Sequence, residues 1–273
     1  MAKVGIHEPV LEVPDFSAVP ENVRDYALRM AQNAIDIARS HIKSYVDELL
    51  GSYLAAAGKD IVIFFNSGGM GWNLTKDSPQ WGTILEGVKT RLENLGYKTI
   101  MLNYCRTGEG LRDSIKEIFE AARRYPNKTR DVARRILFLL ENIPGLKVII
   151  AGESTGTVIS EKTMRFFKNN KNVYSIQTGM PFWHTPEVME RTLSMNDNGI
   201  QLDTFHYGQV RAILWTTVKS WFGKKSNPGT ILSWLKAPGH DYSWDYPGVS
   251  LAVVKFLNEN FAQKQQRTNG GIL

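Results

Sequence analysis

Of the chain's 273 residues, 42 % are hydrophobic and 22 % charged, ordinary globular values that allow a sizeable buried core. The formal net charge is +6, and the Lys and Arg residues are spread along the chain with only short clusters such as Lys224-Lys225. It reads as a solvated basic surface, and no nucleic-acid partner is expected. One cysteine, Cys105, excludes an internal disulfide and suits a reducing compartment.

Residues 1–20 hold three prolines and no sustained periodicity, and are read as an N-terminal arm without a signal-peptide pattern. From Glu21 to about Ala57 apolar residues recur at Val23, Tyr26, Met30, Ala34, Ile37, Ile42, Tyr45, Leu49 and Tyr53. That spacing predicts one long amphipathic helix. Its opposite face mixes acids with bases, so it is expected to pack on its own domain or on a second copy rather than on a membrane. No run approaches the ~20 apolar residues of a spanning helix, and a cytoplasmic location is expected.

A regular alternation follows. Strands are predicted at 60–66, 97–104, 146–151 and 173–178, and helices at 79–95, 109–124, 127–142 and 156–169. Strands separated by helices rather than by tight hairpins predict parallel βαβ units with helices on both faces. After Gly179 the rhythm breaks into an aromatic stretch, 180–228, read equally as a cap-like insertion or as a satellite core. It contains a predicted helix at about 207–222. TILSWLKA is a candidate last strand, a helix is predicted at about 248–262, and residues 263–273 form a polar tail. The expected organisation is an arm (1–20), a single α/β domain (21–262) and a flexible tail.

The sharpest motif is Gly152-Glu153-Ser154-Thr155-Gly156, directly after the apolar run VIIA and directly before a helical pattern. A serine on such a strand-to-helix turn is held in a strained conformation and projects into solvent above the sheet. Flanking glycines avoid Cβ clashes, and the helix N-terminus favours developing negative charge. After the first strand comes Asn66-Ser67-Gly68-Gly69-Met70-Gly71. Its backbone N–H groups could face an oxyanion beside the N–H of Thr155. It lacks the Gly-Lys-Ser/Thr end of a phosphate loop and the GxGxxG spacing of a dinucleotide site. Of five histidines, His7 lies in the arm, His41 sits in the long helix as a packing residue, and His184 and His206 lie in the aromatic stretch. His240, in a Pro-Gly-His turn before the last helix, is the best placed to act as a base.

In order, VIFFNSGGMG, AGESTG and APGHDYS resemble the α/β-hydrolase superfamily over residues 60–262, and a small cutinase-like core fits best. The resemblance implies an α/β fold with a mostly parallel sheet. It also implies a Ser, acid, His chain order, with Ser154 as nucleophile, His240 as base and an oxyanion hole of Thr155 with Gly68 or Gly69. The acid is not where the superfamily often has it, since Thr178-Gly179-Met180-Pro181 contains none. Asp203 is favoured, with Asp197 and Glu187 behind it. The expected function is a serine hydrolase cleaving an ester or thioester with an apolar moiety, on a small-molecule or lipid-like substrate, with room for transient membrane contact. Acyl transfer on the same fold, or a binding protein with a degenerate site, are the alternatives. No metal or cofactor is expected, because no His/Cys/Asp cluster has ligand spacing.

Overall fold

The computed structural model describes residues 15–69, 79–105, 119–222, 229–232 and 235–262. The arm up to residue 14 with His7, the Gly-rich loop beyond Gly69, most of the predicted helix 109–124, residues 223–228 of the insertion and the tail from 263 lie outside them. Of the 109–124 helix, residues 119–122 are described and helical. The chain divides into two compact units, Met1–Ala55 and Ala56–Leu273.

In the first unit the predicted long helix is interrupted. Helix α1 runs Glu21–Gln32 and α2 runs Ile42–Ala56, reaching one residue past the division. Val23, Ala27 and Ala31 form the buried stripe of α1 at helical spacing. The break has a local cause. Asn33, Asp36 and Ser40 are residue types that favour turns over helix interiors, Ile37 N–H donates to Ala34 O at 3.1 Å in a tight turn, and Ala38 is extended (ψ 143°). His41 then falls in a 3₁₀ turn and is exposed, not packed within a helix as its position suggested.

The second unit carries a five-stranded, fully parallel sheet, in the order β2-β1-β3-β4-β5. The strands are β1 (Ile61–Asn66), β2 (Thr99–Tyr104), β3 (Lys147–Glu153), β4 (Val173–Thr178) and β5 (Thr192–Met195). Four match the apolar runs, and β1 and β4 are buried along their whole length, as central parallel strands must be. Helix α3 (Pro79–Asn94) and the last helix α7 (Pro247–Phe261) cover one face. There Ile61, Ile63 and Phe65 pack with Trp81, Leu85, Val253 and Leu257. Helices α4 (Pro126–Asn142) and α5 (Thr155–Phe166) pack together, and α5 packs on β1, β3 and β4. The fold is α/β, with helices flanking a parallel sheet.

Two sequence expectations are corrected here. The stretch 180–228 is not wholly an insertion, because β5 lies within it and forms the sheet edge. TLSM is four residues long and mostly half-exposed, so it has neither the apolar run of a central strand nor a clear alternation. TILSWLKA is not the last strand of the sheet. It holds a separate antiparallel hairpin, β6 (Gly229–Leu232) and β7 (Leu235–Ala237). Beside it lies α6 (Val210–Trp221). Phe205, Ile213 and Ala237 form a small apolar cluster apart from the main core.

Candidate active site

The strand order places the site. From β1 the chain steps outward to β2, then crosses back to lay β3 on the other side of β1. The loops leaving the carboxyl ends of β1 and β3 therefore diverge and open a crevice at this switch point. Asn66 and Gly152 pair in register there. Just beyond them lie Ser67-Gly68-Gly69 on one side and Ser154 on the other.

Ser154 has φ 49° and ψ −122°, a conformation L-residues rarely adopt. The turn is fastened on three sides. Ser154 N–H donates to Thr178 O at 2.9 Å. Thr157 donates from its hydroxyl to Ser154 O at 2.6 Å. Asn66 Nδ2 donates to Ser160 Oγ at 3.0 Å, tying β1 to α5. The glycines have a geometric reason: a Cβ on Gly156 would lie 2.2 Å from Asn66 O and 2.6 Å from Ser67 O, both backbone atoms. On Gly152 it would press on Ser160 and the Thr157 backbone. Ser154 is only 4 % exposed, so it does not project into open solvent as the motif suggested.

Asp203 lies beyond β5, and His240 lies in the turn after β7. Two links join their loops: Thr204 donates from its backbone N–H and its hydroxyl to Pro238 O, both at 2.9 Å. The result is a continuous line: Asp203 Oδ2 lies 2.8 Å from His240 Nδ1, and His240 Nε2 lies 3.0 Å from Ser154 Oγ. All three residues are buried. Asp203 Oδ1 accepts the backbone N–H groups of Phe205 and His206, and Oδ2 also accepts Tyr242 OH at 2.8 Å. Burial pushes the Asp203 pKa up, but hydrogen bonding and charge from His240, then Tyr242 and the backbone, more than offset it and hold the carboxyl below its ordinary value. Burial and the adjacent Asp203 charge push the Tyr242 phenol strongly upward, so it stays a neutral donor.

Of the other sequence candidates, Asp197 accepts the Gly199 N–H, and Glu187 is largely exposed and pairs with Arg165. Gly68 N–H donates to Glu153 Oε2 at 3.2 Å, which engages it away from an oxyanion in this conformation. Gly69 O accepts the Thr155 hydroxyl at 3.0 Å, joining that loop to the start of α5. His206 Nδ1 lies 2.8 Å from Met180 O, outside the Ser154 line.

Sequence reasoning missed Tyr242, although it follows His240 by two positions in APGHDYS, and it missed a buried Glu161–His184 contact. Glu161 on α5 meets His184 Nε2 at 3.1 Å and Arg165 at 2.7 Å, and accepts the Glu187 backbone N–H. Burial raises the Glu161 pKa, but these three partners more than offset it and bring it below the ordinary value. Nothing in the local sequence of His184 signals a partner 23 positions away.

A cleft of about 610 Å³ lies elsewhere, between α3 and α7, lined by Thr83, Glu86, Arg91 and Trp244 among others. It is open, and none of the Ser154, His240 or Asp203 side chains reaches it.

No protein-family model and no curated protein matches the chain. A solved structure of Trichoderma reesei cutinase in complex with a C11Y4 phosphonate inhibitor is similar at 13 % identity and a TM-score of 0.42, over 86 % of this chain and 98 % of that one.

Proposed function

We propose that the protein is a serine hydrolase that cleaves a carboxylic ester or thioester through an acyl-enzyme. The observation that carries this is the buried Ser154–His240–Asp203 line at 3.0 and 2.8 Å, seated at a strained elbow on the switch point of the sheet. Ser154 Oγ attacks the carbonyl carbon while neutral His240 takes its proton at Nε2. Asp203 keeps the Nδ1–H tautomer and stabilises the imidazolium. Charge on the tetrahedral oxygen falls at the N-terminus of α5, where the Thr155 N–H, with Gly69 across the loop, would receive it. His240 returns the proton to the leaving alkoxide or thiolate. Water then attacks the acyl carbonyl as His240 takes its proton, and when the C–O bond to Ser154 breaks His240 returns that proton to Ser154 Oγ, releasing the acid and restoring the site. The apolar neighbours of His240, with Phe205 at a ring distance of 4.9 Å and Phe182 behind it, suit a substrate with an apolar moiety. Asp203, in place beside His240, counts against a degenerate binding protein.

A fluorophosphonate probe tests the assignment. The wild-type chain should label on Ser154, and Ser154→Ala should not label while keeping its fold by circular dichroism. A wild-type chain that stays unlabelled, or labelling that survives in the variant, overturns it.

A further inference from the structure

Helix α6 buries only Ile213 and Thr217. Its other side presents Val210, Leu214, Trp215, Val218, Trp221 and, just past its end, Phe222, each between 38 % and 81 % exposed. Singly exposed apolar side chains are ordinary, but six within thirteen residues on one short element are not. The helix is not loosely attached. Lys236 N–H donates to Thr217 Oγ1 at 3.0 Å, and Ile213 sits in the cluster with Phe205 and Ala237. The stripe is therefore held outward.

The charge in this stretch of sequence is one-sided. Between Asp203 and Asp241 the sequence carries Arg211, Lys219, Lys224, Lys225 and Lys236, and no Asp or Glu. This tract alone accounts for five of the chain's six net positive charges. Lys219 Nζ lies 4.9 Å over the Trp215 ring, so one cation is held against the apolar stripe itself. A chain of contacts also links the helix to the site. Val210 N–H donates to Gly208 O, and Gly208 faces Phe182, which is half-exposed. Phe182 meets Phe205 edge-on at 6.1 Å, and Phe205 meets the His240 ring.

We propose that this face of α6 docks on an anionic lipid surface. Trp and Leu side chains would enter the headgroup boundary, while Arg211 and Lys219 meet lipid phosphates, the pattern of an interfacial amphipathic helix. A second copy fits less well. A two-fold interface through this face would set Arg211 and Lys219 of one copy against the same cations of the other. Docking does not depend on the hydrolase reading. Where both hold, the site lies beside the surface that supplies its substrate.

Vesicle flotation with the full chain tests it. Binding to vesicles of phosphatidylcholine mixed with phosphatidylglycerol should exceed binding to phosphatidylcholine alone by at least about tenfold, and should fall at high salt. Leu214→Ser with Trp221→Ser should weaken it by at least about tenfold, with the fold retained because both side chains are exposed. Arg211→Gln with Lys219→Gln should lose roughly fivefold per cation on the anionic vesicles only. Ser154→Ala should bind as the wild type does, which separates docking from turnover. Absence of binding to anionic vesicles, or binding that the Leu214/Trp221 variant leaves unchanged, overturns the proposal. So does a wild-type dimer that the same variant converts to monomer without lipid, since that assigns the face to a second copy.

Discussion

Asp203→Asn is the most searching test of the site, because the structure fixes what the amide would face. The wild-type carboxylate only accepts: His240 Nδ1–H and Tyr242 OH at Oδ2, Phe205 and His206 N–H at Oδ1. An asparagine has one oxygen and one NH2. With the NH2 toward the two backbone N–H groups, buried donors face donors, at about 1–3 kcal/mol each. The amide therefore turns its oxygen to the backbone and its NH2 to His240. Nδ1 must then accept, the ring proton moves to Nε2, and Nε2–H points at Ser154 Oγ. Such a base cannot take the serine proton. A wrong-tautomer triad of this kind loses about 10⁴-fold in turnover, which is about 5.4 kcal/mol. The assay is the rate of fluorophosphonate labelling of Ser154, which needs no knowledge of the substrate, beside p-nitrophenyl butyrate hydrolysis. Circular dichroism confirms the fold. A loss smaller than about tenfold in a folded variant would refute the tautomer reasoning and, with it, Asp203 as the partner of His240.

Tyr242→Phe removes one donor from a buried carboxylate, a hydrogen bond worth about 1.5–3 kcal/mol. It should lower kcat severalfold with KM unchanged, and a matching fall in neither stability nor kcat would show the phenol to be idle. Gly156→Ala forces a Cβ onto two backbone oxygens of the β1 loop. It should cost about 3 kcal/mol, or roughly 6–12 °C in melting temperature, and an unchanged melt would mean the elbow relaxes freely. Asp203 and Glu161 are both held below the ordinary carboxylate range. Each therefore adds stability that is complete above the unfolded value, near pH 4, and that is lost as pH falls through the lower folded value. Melting temperatures should drop steeply on acidification below that range, and Glu161→Gln should flatten the drop. A wild-type profile already flat there contradicts the burial of these anions.

Much of the fold could be read from the chain itself. Buried parallel strands favour apolar runs, so IVIFF and VII announced themselves, and VYSIQT did so through its β-branched and aromatic residues. Gly-x-Ser-x-Gly between such a run and a helix announced the elbow, since backbone crowding permits little else there. His240 ranked first among the histidines for its place before the last helix, and the structure sets its ring 3.0 Å from Ser154 Oγ. The acid could be ranked but not identified. Its claim depends on β5, whose four mostly half-exposed residues carry no strand signature and acquire an edge only when β4 pairs with them. The break between α1 and α2 was hidden because apolar spacing continued across it, while the turn-favouring Asn33, Asp36 and Ser40 fall where the helix stops. Tyr242 and the Glu161–His184 pair required tertiary structure for a simpler reason. A hydrogen bond between residues 39 or 23 positions apart leaves no mark on local sequence, and only the folding of the sheet brings the groups within reach. The sequence determined which segments must be buried and where a strained turn must fall, because those are local demands of solvation and backbone geometry. Which carboxylate meets which imidazole is a demand of distance in space, and only the packed chain met it.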